Sequence, residues 1–182
     1  MIRLNDEFPV YLVRNFHVPI FQKKKIIQKV LENKSLYHKN KEKNFNFCIN
    51  DDYQNFFQNL YLKFYKLCQK KFVFTVNRNL SKSCWAYVSD KSNFVEMWHN
   101  HINSSTINAV YYLNIPKKDN VTIDFELNKK LLTYKIKNYD LIIFPDNLNH
   151  KPNRCYNDGY RISINMEIIC NETSEHIFNH MR

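Results

Sequence analysis

The chain has 182 residues, of which 44% are hydrophobic and 24% charged, and its formal net charge is +10. This is the composition of a globular chain, long enough for one ordinary domain that needs no disulfide staples. No run approaches 18 apolar residues, so no membrane-spanning helix is expected, and the Asp, Glu and Arg within Met1–Phe16 do not make a secretory leader. The charge excess is mostly Lys, as in Lys23-Lys24-Lys25 and in the stretch from Lys39 to Lys43, and reads as solvated faces. A basic chain can hold nucleic acid through counterion release, but with the Lys so widely spread that partner is not favoured. Gly159 is the single glycine, while Asn, Lys and Ile are abundant, as AT-rich codons would produce. The five Cys (48, 68, 84, 155 and 170) are odd in number and lack short ligand spacings, which points to reduced thiols and a cytoplasmic location.

In chain order, the first third reads as helical and the rest as sheet. Residues 21–33 place Ile26, Ile27, Val30 and Leu31 on one helical stripe, and residues 51–72 do the same with Phe56, Leu60, Phe64 and Leu67. Asn50, Asp51 or Asp52 could cap the second helix, and the polar stretch 37–46 connects the two. Strands are expected over 72–76, 84–88, 107–115, 121–127, 131–136, 141–144 and 160–169. Strands this closely spaced, without intervening helices, argue an antiparallel sandwich or barrel. The chain is therefore expected to be a single α+β domain over 1–182. Residues 1–71 would be mainly helical support, 72–170 a β-barrel core and 171–182 a C-terminal tail.

Three histidines carry the chemical signal. His99 and His101 stand two apart, so on an extended segment both side chains leave the same face. His150 follows the apolar run 141–145, and two close ligands plus a distant third is one way a barrel holds a transition metal. Beyond it, alternation in Arg161-Ile162-Ser163-Ile164-Asn165 puts Arg161, Ser163 and Asn165 on one strand face. An inward-facing Arg is costly unless it meets a buried anion, and a guanidinium with a nearby hydroxyl suits a carboxylate; the other reading is a surface Arg161 on an edge strand.

From Trp85 to Glu167 the sequence resembles the 2-oxoglutarate and Fe(II)-dependent oxygenases, in particular a small bacterial and phage branch. The shared elements, in order, are Trp85-Ala86-Tyr87, His99 to Ser104, Asn108-Ala109-Val110-Tyr111-Tyr112-Leu113, Phe144-Pro145, His150 and Arg161-Ile162-Ser163. The resemblance implies a double-stranded β-helix of the jelly-roll, cupin-like kind, with N-terminal supporting helices. It implies Fe(II) on His99, His101 and His150, and 2-oxoglutarate as cosubstrate with its far carboxylate on Arg161 and Ser163. Tyr87 and Asn165 would be further cosubstrate contacts, and Trp98, Tyr87, Tyr111 and Tyr112 could line the pocket. The implied activity is a dioxygenase reaction, a hydroxylation, on a small-molecule or peptidyl substrate. Ile102 stands where the branch has Pro, Asn108-Ala109 where it has Ser-Gly, and His101 where the wider superfamily has a carboxylate. Asn103, a water or Asp146 are the alternatives to His101 as a ligand. The competing expectation is a cupin-like protein that binds a metal or a small acid without oxygenase activity. The sequence leaves the oligomeric state open.

Overall fold

Period-2 alternation builds a sheet whose two faces meet different partners. The structure, a computed structural model, describes residues 1–17, 23–28, 31, 44–46, 54–77, 83–91, 97–117, 120–153 and 158–181. The strands are β1 (Ile2–Asn5), β2 (Phe8–Val13), β3 (Asn44–Asn46), β4 (Ser83–Ser89), β5 (Ile107–Asn114), β6 (Thr122–Leu127), β7 (Lys130–Lys135), β8 (Leu141–Pro145), β9 (Asn149–Pro152) and β10 (Arg161–Ile168). The helices are α1 (residues 23–28), α2 (Gln54–Lys71) and α3 (Ser174–Asn179). Among the described residues, seven strands form one sheet in the order β1-β2-β8-β5-β10-β4-β3, and three form another in the order β7-β6-β9. Every strand pairing is antiparallel.

The central strands of the large sheet are buried on both faces. Ile107, Ala109, Tyr111 and Leu113 of β5, with Ile162, Ile164, Met166 and Ile168 of β10, pack against α2. The helix meets them with Phe56, Leu60, Phe64 and Cys68, each four residues on from the last, so one stripe supplies the contact. On the opposite face, Val110, Tyr112, Ile142 and Phe144 pack against Ile123, Phe125 and Leu148, in or beside the small sheet. The β6–β7 hairpin closes through Asn128 and Lys129 at φ 52° and 64°, the left-handed pair that a two-residue turn of matching twist requires. β7 is an edge strand that exposes Lys130 and Lys135, which discourages further pairing.

Several expectations are corrected. The first third is not uniformly helical: β1 and β2 join the large sheet, with Phe8, Val10 and Leu12 alternating into the inner layer. Residues 72–76 form no sheet strand; Phe72 bridges Met181 and Val76 bridges Cys170, which ties this segment to the C-terminus. Residues 171–182 are not a plain tail, because α3 is capped by Thr173 and buries Ile177 and Phe178 in the helix-side core. β9 forms where no strand is expected, since a four-residue segment ending in Pro lacks a hydrophobic pattern. Of the expected 21–33 helix, residues 23–28 and 31 are helical and the rest lies outside the described residues. The proposed caps at 50–52, most of the 37–46 connection, Cys48 and Cys155 lie there too. Cys68, Cys84 and Cys170 are buried. Among the described residues, no helix is long and apolar enough to cross a membrane.

Phe64 has no exposed surface and sits centrally in the α2 stripe. Phe64→Ala should therefore cost about 3–5 kcal/mol, seen as a lower urea midpoint with an unchanged slope.

Candidate functional site

The cavity between the sheets is bounded by β10 and β4 on one side and β9 on the other. β9 pairs with β6, which sets His150 opposite Phe125. The extended segment around His99 then pairs with β9: His99 N donates to His150 O at 3.1 Å, and His150 N donates to His99 O at 2.9 Å. His101 N donates to Asp146 O at 2.8 Å, just before a turn leads into β5. Backbone bonds thus fix all three histidines. Their ring centroids lie 4.2 Å (His99–His150), 5.2 Å (His101–His150) and 5.6 Å (His99–His101) apart. One ring nitrogen from each falls within 4.8 Å of the others.

Each Nδ1 faces an oxygen. His99 Nδ1 lies 3.0 Å from Met97 O, His150 Nδ1 lies 3.2 Å from Leu148 O, and His101 Nδ1 lies 3.0 Å from Glu167 Oε1. An Nδ1 held against a carbonyl or carboxylate oxygen is placed to donate to it, and in that tautomer the Nε2 of the same ring would offer its lone pair. Three imidazoles suit a divalent first-row metal and would leave coordination positions open. His150 is almost fully buried, against the Phe144 ring at 4.6 Å. Burial, then the neighbouring His99 and His101, lowers its pKa to about 3, so it is an electron-pair donor at neutral pH.

The cavity has a volume of about 270 Å³. His99, His101, His150, Arg161, Ser163, Tyr87 and Asn165 all line it. Arg161 is 1% exposed, and its Nη1 donates to Asn153 O at 2.6 Å. Asn153 is itself held, its Nδ2 donating to Thr122 Oγ1 and, at 2.9 Å, to Asp124 Oδ2. Among the described residues Arg161 forms no ion pair, and its buried guanidinium lines the cavity. Burial raises the pKa of Tyr112, and the Arg161 charge offsets part of that rise. The residues present therefore fit both a metal and a small dicarboxylate.

Other expected residues fall elsewhere. Tyr112 lines the cavity, but Tyr111 points to the helix side, edge-on to Phe16. Trp98 is on the surface, with Lys151 Nζ 5.1 Å from its ring centre. Asp146 joins no metal cluster; its carboxylate binds the Ser174 hydroxyl, and Asn103 is exposed in the turn. Sequence reasoning missed the walls Trp85, Val110, Ile123 and Pro152, and it missed Glu167. Glu167 was within reach, two residues past Asn165 on the same alternation.

No protein-family model matches the sequence, and no curated protein matches it. The fold is nevertheless shared with solved structures. A Pseudomonas putida prolyl-4-hydroxylase aligns over 88% of this chain and 93% of its own, with TM-score 0.62 and 11% identity. HygX from Streptomyces hygroscopicus, solved with nickel and 2-oxoglutarate bound, aligns over 91% and 84%, with TM-score 0.64 and 9% identity. A Trichoplax adhaerens prolyl hydroxylase, solved with a hypoxia inducible factor peptide fragment, covers 88% and 83% at TM-score 0.61 and 12% identity. At such identities the likeness establishes the fold.

The lowered His150 pKa has a consequence for the metal-free protein. Below its ordinary value of 6.5 the unfolded chain takes up a proton at His150, whereas the folded chain resists until about pH 3. The stability contributed by the neutral ring is thus complete above pH 6.5 and declines as pH falls towards 3, by up to about 1.4 kcal/mol per pH unit. Urea midpoints measured across this range should show the slope, and His150→Asn should flatten it.

Proposed function

We propose that the protein is an Fe(II)- and 2-oxoglutarate-dependent dioxygenase, a hydroxylase on a double-stranded β-helix of the jelly-roll kind. Its substrate would be a small molecule or a peptidyl side chain, and its location the cytoplasm. The observation that carries this reading is that one cavity holds three histidines with a ring nitrogen each within 4.8 Å of the others and, on its β10 wall, a buried arginine that has no ion-pair partner among the described residues. When bound, iron and 2-oxoglutarate would supply oxygen activation, coupled to decarboxylation of the 2-oxo acid to succinate and CO2.

The chain's own residues do the holding and the shielding. His99, His101 and His150 would bind the metal from one side, their rings oriented by the oxygens at Nδ1. Arg161 would take the far carboxylate through its guanidinium, one nitrogen of which, Nη1, is steadied on Asn153 O, with Asn153 in turn held by Asp124. Ser163 and Tyr87 face each other across the β10–β4 pair, and Asn165 faces Trp85, so polar groups run from the anchor towards the histidines. Val110, Ile123 and Pro152 supply apolar wall that keeps bulk water from the reacting atoms. The solved HygX, with 2-oxoglutarate and with iron, and the peptide-bound prolyl hydroxylase support the cosubstrate and the substrate class.

Anaerobic titration with Fe(II) and 2-oxoglutarate, followed by measurement of succinate release in air, tests the proposal. Arg161→Ala should weaken 2-oxoglutarate binding by about 2–5 kcal/mol and leave metal affinity unchanged. A cupin-like binder would be indifferent to that change. His150→Ala should abolish metal binding; unchanged metal content in both His99→Ala and His150→Ala would remove the metal assignment.

A further inference from the structure

A divalent ion held by three imidazoles and no carboxylate, in the same cavity as the Arg161 guanidinium, would leave concentrated positive charge before any dicarboxylate enters. None of the three ligand candidates is a carboxylate. Two acidic groups near the site are engaged elsewhere: Asp124 with Thr133, Asn153 and Lys151, and Asp146 with Ser174. Glu167 is different. Its carboxylate is 10% exposed, and its partner among the described residues is the His101 ring, Oε1 to Nδ1 at 3.0 Å.

We infer that Glu167 is a positioning residue for the metal centre, its carboxylate orienting His101 and supplying, through that ring, the negative charge the ligand set lacks. This rests on the reading of the three histidines as a metal site. A carboxylate on Nδ1–H draws the proton towards itself, makes Nε2 a stronger donor and fixes the ring plane. The strand holds Glu167 firmly for this role. Its carbonyl accepts the Tyr61 hydroxyl from α2 at 2.8 Å, and in register it sits between Ser83 and Asn108. Asn108 Nδ2, buried and without a hydrogen-bond partner among the described residues, adds a donor opposite it in register that favours an acidic neighbour. A buried carboxylate beside a neutral imidazole is costly; beside a metal-bound imidazole it is matched. So β10 presents a cation at one end of its inner face and an anion at the other.

The test uses the full chain and Co(II) as the probe, without 2-oxoglutarate, and reads affinity and the visible absorption bands of bound Co(II). Glu167→Gln keeps an acceptor oxygen for Nδ1–H and removes the charge; it should weaken Co(II) binding about 10–100-fold and shift the bands. Glu167→Asp keeps the charge and should bind more tightly than Glu167→Gln. In a His101→Ala background, Glu167→Gln should have no further effect, because the coupling runs through that ring. Three results would overturn the inference: Glu167→Gln binding within twofold of the parent, Glu167→Asp binding more weakly than Glu167→Gln, or an undiminished effect without His101. A parent protein that binds no Co(II) overturns the metal reading and this inference together, whereas a binding parent with an indifferent Gln variant overturns this inference alone.

Discussion

Much of the molecule depends on one strand that is buried on both faces with a different chemistry on each. The outer residues of β10, Ile162, Ile164, Met166 and Ile168, pack with α2 in the helix-side core. Its inner residues, Arg161, Ser163, Asn165 and Glu167, are polar, and the first three line the cavity. A slip of one residue in pairing would drive a guanidinium and a carboxylate into the apolar layer under α2 and turn isoleucines into the cavity. Register is therefore enforced by both layers at once. The pairing of β10 with β4 keeps Arg161 opposite Ser89 and Glu167 opposite Ser83 along the whole strand. On the β5 side one irregularity, between Ile162 and Ser163, falls near the Arg161 end, where the chain arrives from Gly159. That glycine has φ +125°, a conformation closed to other residues, and an added Cβ would stand 3.3 Å from the Pro116 side chain.

The polar face is costly to bury, and the structure offsets the cost with pairwise restraints more than with solvent. Arg161 leans on the Asn153 carbonyl, and Asn153 is fixed by Asp124 and Thr122. Each histidine has an oxygen at Nδ1, two of them backbone carbonyls two residues upstream. Those two depend only on local chain geometry, so the rings of His99 and His150 keep these partners wherever their segments hold. His101 is the exception, because its oxygen belongs to a side chain on another strand. His101 is thus the ring with a carboxylate behind it.

What the sequence made legible followed from periodicity, and what it hid followed from segments with little period to read. The 160–169 run is long, alternates strictly and carries charge on one phase, so the facing of Arg161 and Ser163 could be anticipated. The α2 stripe was legible for the same reason at helical spacing. β9 hides because its four residues, Asn-His-Lys-Pro, show no apolar pattern; it becomes a strand by pairing with β6 and with His99. β1 and β2 hide because Asn5, Asp6 and Glu7 interrupt the run and residues 72–76 offer a more obvious start to the sheet. Tyr111 and Tyr112 illustrate the limit of composition: both are aromatic and buried, yet one residue of phase sends one to the helix and the other to the cavity. Trp98 adjoins a histidine in sequence but stands on the surface beside Lys151.

The site also makes demands on how the two sheets come together. His150 rides on the small sheet, Arg161 and Glu167 on the large one, and His99 and His101 on the segment between β4 and β5 that pairs with β9. No one element holds the complete ligand set, so the donors converge only after the sheets have packed through the Phe125–Phe144 contact, 5.3 Å between ring centres. An ion that needs all three rings therefore binds the folded chain and hardly at all the unfolded one, and its binding energy adds to the stability of the sheet pairing. Without a bound ion and dicarboxylate, the chain holds a buried neutral histidine and, with no ion pair among the described residues, a buried arginine through packing and single hydrogen bonds to Leu148 O and Asn153 O. Those are the two groups that a cation and a dicarboxylate would match. The same residues that weaken the empty cavity thus make it receptive, and filling it stabilises the interface between the sheets.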